Sequence, residues 1–170
     1  MIWVLLSTVH KWAASLFGDD RHIVSFYPNL NPEFLEDREH GLDQAQATLF
    51  QKSFFMIGTS PDTHPDAVKL AADFSTVLGG KPYFADLTES EGITALMHHL
   101  PQIAASALYS AITAQPGWRE GRKIGGPAFL SALVPLDHLD ERKEFGEAVL
   151  MNSENTVRVL DAYIEELRSM

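Results

Sequence analysis

The sequence predicts an α/β unit followed by an all-helical unit. Three observations carry that expectation. Apolar runs of strand length, Met1–Leu6, His22–Tyr27, Phe54–Gly58 and Lys81–Phe84, all lie in the first half of the chain. Segments with apolar residues at helical spacing separate them, which gives this half βαβ character. Past residue 86 nothing reads as strand. The expected division is a partial α/β unit at 1–60 and a mainly helical unit at 61–170.

Composition fits one to one and a half domains with a packed core. The 170 residues are 45% hydrophobic and 21% charged, close to an average globular protein and unlike a disordered or fibrous one. Thirteen Lys and Arg against twenty-three Asp and Glu leave a net charge of -10, which argues against a nucleic-acid or anionic-membrane surface. With zero cysteines there are no disulfides, thiolate zinc sites or thiol nucleophiles, and a reducing, cytoplasmic setting fits. The opening run Met1–Leu6 is too short to cross a bilayer, and no Lys or Arg precedes it as in a secretion signal, so it reads as a buried strand.

Taken in order, Val9–Phe17 carries helical spacing and stops at Gly18, and His22–Tyr27 follows as a strand. Pro28 and Pro32 interrupt regular structure, residues 29–41 read as an acidic loop with a turn of helix, and Leu42–Phe50 reads as a short helix. Thr63 to Asp66 forms a capping box with Pro65 in the first turn. The helix it opens carries Ala67, Val68, Leu70, Ala71, Phe74, Val77 and Leu78 on one broad face and ends at Gly79-Gly80. Thr88 to Glu91 is a second capping box. It opens the longest helix, running to about Ala114 and kinked at Pro101. Its stretch Gln102–Ile112 is rich in Ala and Ser. Gln115–Lys123 is a basic loop, Phe129–Leu136 an apolar helix, Asp137–Met151 a charged one, and Ser153–Met170 an amphipathic helix with Val157, Leu160, Tyr163, Ile164 and Leu167 on one stripe.

Familiar catalytic signatures are missing. There is no G-x-G-x-x-G after a strand, no G-K-S/T loop, no H-E-x-x-H and no G-x-S-x-G. His98 and His99 are adjacent on a helix, about 100° apart, so they cannot chelate one metal together, and no metal site is expected. Each histidine is either a hydrogen-bonded core residue or one that faces a site. Arg119, Arg122 and Lys123 concentrate positive charge on an acidic chain. That suits a carboxylate or phosphate, and equally a solvated loop offset by Glu120.

These pieces together resemble the prephenate and arogenate dehydrogenases of tyrosine biosynthesis, from about Ser15 to the C-terminus. Ile23-Val-Ser-Phe-Tyr-Pro-Asn-Leu-Asn31 looks like the family's strand ending in H-P-x-x-G. Leu49-Phe50 through Phe54–Ser60 is similar to its passage "dLF…g…vl.P", Thr88–Gln102 to "PEEHD…vSHLPH", and Gly117–Gly125 to "GFRDxTRIA". The resemblance implies a truncated Rossmann-like α/β unit followed by a helical dimerisation domain, and therefore a homodimer. It further implies oxidative decarboxylation with NAD or NADP. In that chemistry a histidine takes the proton of the ring hydroxyl, an arginine holds a carboxylate, and the histidines of SHLPH line the pocket.

Carried over residue by residue, the catalytic positions are Tyr27, standing where the family has its histidine, and His99, the first histidine of SHLPH, retained. The substrate-binding positions are His98 in place of the serine, Gln102 in place of the last histidine, Arg119, Arg122, and Lys123 in place of the TRIA arginine. Asn31 replaces the glycine of H-P-x-x-G, and Ser90 and Glu91 replace the histidine and acid of EHD. Tyrosine, with an ordinary pKa near 10, is a poor base at neutral pH. No residue of this sequence supplies the phosphate-binding turn, so no cofactor is expected on this chain alone. Two expectations follow. In one, the chain is an enzyme of this kind whose cofactor half comes from a separate chain. In the other, it is a non-catalytic dimerising module that binds a small carboxylate for regulation or sensing. If a ligand pocket survives in either case, it is expected where His99–Gln102 meets Arg119–Lys123.

Overall fold

The computed structural model describes residues 6–18, 21–35, 45–136 and 142–170. The chain divides into two compact units, Leu6–Ser90 and Glu91–Met170. This division falls later than the expected break after residue 60, because the strand beyond it belongs to the first unit's sheet. The first unit holds α1 (Leu6–Leu16), β1 (Ser25–Pro28), β2 (Phe54–Thr59), α2 (Pro65–Val77) and β3 (Lys81–Asp86). The chain leaves it along α3 (Leu87–Thr94).

β2, α2 and β3 form a βαβ unit, with β2 and β3 parallel from Phe54↔Lys81 to Thr59↔Asp86. β1 runs antiparallel on the other side of β2, with Tyr27 opposite Met56. Phe55 and Ile57 are fully buried, and the rings of Phe26, Phe50 and Phe74 surround Phe55 or one another at 5.0 to 5.6 Å between centroids. Two glycines close this core. Gly79, at φ +86°, and Gly80 end α2 with paired bonds from Gly79 N to the Thr76 carbonyl and from Gly80 N to the Ser75 carbonyl. A Cβ on Gly80 would run into the Phe55 ring.

Several expected elements shift. Residues 1–5 of the opening strand lie outside the described residues, and Leu6 already belongs to α1. The second strand occupies Ser25–Pro28 rather than His22–Tyr27 and admits Pro28 as its last residue, at an end of the strand order β1-β2-β3. The acidic loop contributes a short 3-10 turn, Pro32–Phe34. The expected helix at Leu42–Phe50 is a series of turns over the described residues 45–50. Asn31 takes the carbonyls a helix would use internally, donating from its backbone N to Leu49 at 2.8 Å and from Nδ2 to Thr48 at 3.2 Å. His64, not Thr63, caps α2, its Nδ1 accepting from Asp66 N at 3.2 Å. Asp86, not Thr88, caps α3, its Oδ1 accepting from Glu89 N at 2.7 Å.

The second unit is all-helical among the described residues. After a π-helical segment, Ala95–His99, it comprises α4 (Leu100–Thr113), α5 (Trp118–Gly121), α6 (Pro127–Leu133), α7 (Arg142–Met151) and α8 (Ser153–Ser169). The expected proline kink takes the form of the π-helical turn. Leu100 N reaches back to the Ala95 carbonyl, and Pro101, which has no N–H, sits in the first turn of the helix that follows. The basic loop contains the one-turn helix α5. The apolar helix starts earlier, at Pro127, and residues 137–141 of the charged helix lie outside the described residues. α8 packs on the π-helical segment, α4 and α7, and α4 also packs on α6. The buried apolar side chains of this unit are small: Ala95, Ala105, Ala148 and Val159.

Candidate functional site

The π-helical turn sets the two histidines apart, as their adjacency requires. His99 is buried, with Nδ1 sharing a 3.0 Å hydrogen bond with Thr156 Oγ1 of α8 and its ring lying edge-on to Phe145 of α7 at 5.9 Å. Its Nε2 is buried and has no hydrogen-bond partner among the described residues. Burial lowers its pKa, which keeps the imidazole neutral. His98 is half-buried, and burial, reinforced by the neighbouring His99, pushes its pKa down to about 4. At neutral pH both rings are therefore uncharged. They can accept or donate a hydrogen bond, but they do not attract an anion by charge.

Positive charge lies elsewhere. Arg119 is on α5, Arg122 and Lys123 follow it, and all three are exposed. Gly117, at φ +92°, makes the turn into α5 that a side chain would strain. Between the end of α4, this turn and α6 lies a cavity of about 400 Å³, walled by Ile112, Trp118 and Phe129, with Arg122 and Gln115 as its polar groups. Trp118 meets Phe129 at 6.1 Å and Tyr109 at 6.2 Å, both edge-on. Gly125 lets Phe129 close on the turn, since a Cβ there would lie 3.0 Å from its Cδ1. An apolar cup with one guanidinium suits a carboxylate that carries an aromatic or aliphatic body.

The expected convergence of His99–Gln102 with Arg119–Lys123 is therefore not the arrangement within this unit. His99 precedes α4 and Ile112 sits near its end, so the histidines and the Arg122 cavity are separated by most of that helix, about 18 Å at 1.5 Å per residue. Gln102 is half-buried in the first turn of α4, and Lys123 does not line the cavity. Tyr27 belongs to the other unit, half-buried on β1, and burial raises its pKa above the ordinary phenol value. It stays protonated at neutral pH and can donate a hydrogen bond, but it does not serve as a base.

Sequence reasoning missed Thr156, Phe145 and Asn152. Asn152 donates from Nδ2 to the Glu91 carbonyl at 2.8 Å and helps fix α8 beside the histidines. No local signal marks a partner so far along the chain. Asn31, read as a replaced glycine, is a buried fastener whose Oδ1 also accepts from Glu33 N at 3.1 Å. Among the described residues no group of three or more His, Asp or Glu could hold a metal ion, and no helix is long and apolar enough to cross a membrane.

No protein-family model matches the sequence, and no curated protein matches it. Solved structures do match. An arogenate dehydrogenase from Synechocystis superposes with a TM-score of 0.75 at 16% identity, over 98% of this chain and 57% of that one. A prephenate dehydrogenase from A. aeolicus, in complex with hydroxyphenyl propionate and NAD+, gives 0.69 at 17% identity over 86% of this chain and 49% of that one. Another structure of the A. aeolicus enzyme gives 0.59 at 15%. The chain thus has a prephenate/arogenate dehydrogenase-like fold, an α/β unit followed by helices, and spans about half the length of those enzymes.

Proposed function

We propose that this chain is the substrate-facing and dimerising part of a prephenate/arogenate dehydrogenase-like protein of tyrosine biosynthesis, working in the cytoplasm as a homodimer, with its NAD- or NADP-binding half supplied from outside these residues. The observation that carries the reading is the fold match along 98% of the chain at a TM-score of 0.75. The motif order from Tyr27-Pro28 to Lys123 supports it independently.

The described residues do not fit a dinucleotide. The β2–α2 connection, residues 60–64, contains no glycine and is bracketed by Pro61 and Pro65, and the first turn of α2 is capped by the His64 side chain. A pyrophosphate needs a glycine turn that brings backbone N–H groups close, and none is built there. What this chain's residues can do is bind and orient. Arg122 holds a carboxylate while Trp118 and Phe129 take an aromatic or aliphatic body.

A second reading is favoured by Tyr27. A protonated, half-buried phenol where the resemblance implies a base fits a non-catalytic dimerising module that binds a small carboxylate as a sensor or regulator. Calorimetry on the full chain tests both readings. Hydroxyphenyl propionate should bind weakly, and Arg122→Gln should weaken it about tenfold or more, the loss of one charge-assisted bond of about 1.5 to 3 kcal/mol. NAD+ should not bind alone, and prephenate or arogenate should not reduce it. Supplying a dinucleotide-binding partner chain should restore reduction under the first reading and not under the second. Failure of hydroxyphenyl propionate to bind at millimolar concentration would overturn both.

A further inference from the structure

We propose that a second cavity, in the α/β unit, binds a small zwitterion: an α-amino acid with an apolar side chain. The cavity measures about 390 Å³ and lies beside the end of α1, the segment entering β1 and the loop after β2. None of its lining residues belongs to the site described above, and the proposal does not depend on that reading.

Among the described residues two opposite charges line it, Arg21 and Asp62, and no ion pair joins them. Each is held by its own local structure. Arg21 N donates to the Gly18 carbonyl at 3.0 Å, and the guanidinium sits 6.0 Å over the Phe17 ring. Asp62 rides on a turn in which Thr63 N donates to the Ser60 carbonyl at 3.0 Å and Asp62 N to Ser60 Oγ at 3.4 Å. The space between the charges is walled by Phe17, Ile23 and Leu87. His10, at the same wall, is buried with Nε2 bonded to Ser25 Oγ at 2.9 Å, and burial holds its pKa below the usual value, so it adds no third charge at neutral pH.

Asp62 would repel a simple anion and Arg21 a simple cation, whereas a neutral apolar ligand would leave both unused. An α-amino acid matches each element: carboxylate to Arg21, ammonium to Asp62, side chain to the apolar wall. The volume suits a ligand of that size.

Calorimetry on the full chain with L-leucine and L-phenylalanine tests this. Arg122→Gln serves as the background, so that binding at the helical unit's cavity is weakened, and the effect of the Arg21 and Asp62 variants is read against it. Saturable binding of at least one amino acid is expected. Hydrocinnamate, which lacks the ammonium, and L-phenylalanine amide, which lacks the carboxylate, should each bind about tenfold more weakly or worse, as should the amino acid to Arg21→Gln or Asp62→Asn. Both residues are exposed, so these variants keep the fold. The His10 ring resonances should shift on titration. Equal binding of hydrocinnamate and phenylalanine, indifference to either variant, or no saturation at millimolar amino acid would each overturn the proposal.

Discussion

The two units solve the core problem with different materials. In the α/β unit, Phe55 and Ile57 are fully buried and three further phenylalanines pack around the sheet. In the helical unit the buried apolar side chains go no larger than Val159, and the fully enclosed groups include His99, Asn152 and Thr156. Large apolar residues point outward in both units, Leu70 at 71% and Val77 at 81% exposed in the first, Leu130 at 63%, Val157 at 54% and Leu150 at 74% in the second, so what separates the units is what they bury. Burial of a Leu or Val side chain contributes about 1.5 to 3 kcal/mol, so covering such residues on association would be favourable. The first unit has an aromatic core of its own. The second has only small buried apolar side chains among the described residues, and the proposed homodimer would cover part of its exposed apolar surface.

The largest effect should come from the self-contained core. Phe55→Ala removes its central ring and should cost about 3 to 5 kcal/mol, read by urea unfolding of the α/β unit. Gly80→Ala should act in the same direction through the clash with that ring. A loss below about 1 kcal/mol for Phe55→Ala would show that this core is not the unit's main support.

In the helical unit the sensitive point is polar. Thr156→Val leaves His99 Nδ1 buried without its partner and should cost about 1 to 3 kcal/mol. Acid should act there too. The folded-state pKa values of His98 and His99 lie below the ordinary value of 6.5, so the unfolded chain takes up protons first as pH falls. Their contribution is whole above pH 6.5 and is lost progressively toward pH of about 4. Unfolding followed against pH should show this slope, and His98→Gln should flatten it.

The sequence made the α/β-then-helical order readable because strand-length apolar runs stop at residue 86, and it marked the end of α2 because Gly79-Gly80 is what a left-handed helix stop demands. It put the start of α3 at a capping box, Thr88 to Glu91, two residues later than Asp86, which caps the helix in the structure. Because β3 ends at Asp86 and the helix follows at once at Leu87, the cap falls on Asp86. The π-helical turn before Pro101 was legible only as a kink. The site was partly legible: Arg122 and Gly117 belong to the cavity, while the burial of His99 depends on Thr156, a contact between distant parts of the chain. The opposed charges of Arg21 and Asp62 carry no motif and become visible only when the loop after β2 folds beside the end of α1.

A smaller effect sharpens the same contrast. Gly79→Ala keeps the core, strains the left-handed turn and brings a Cβ to 2.9 Å from Gln51 Cγ, whose side chain can move aside, and should cost about 1 to 2 kcal/mol in thermal unfolding, well under the loss at Phe55.

The central claim is that the helical unit is completed by a second copy of itself. Sedimentation equilibrium at micromolar concentration, on the full chain and on Leu130→Glu with Val157→Glu, measures this directly. The account predicts a dimer of twice 18.9 kDa that the paired substitutions convert to monomer while α/β unfolding stays unchanged. A clean 18.9 kDa monomer for the unsubstituted chain would contradict it.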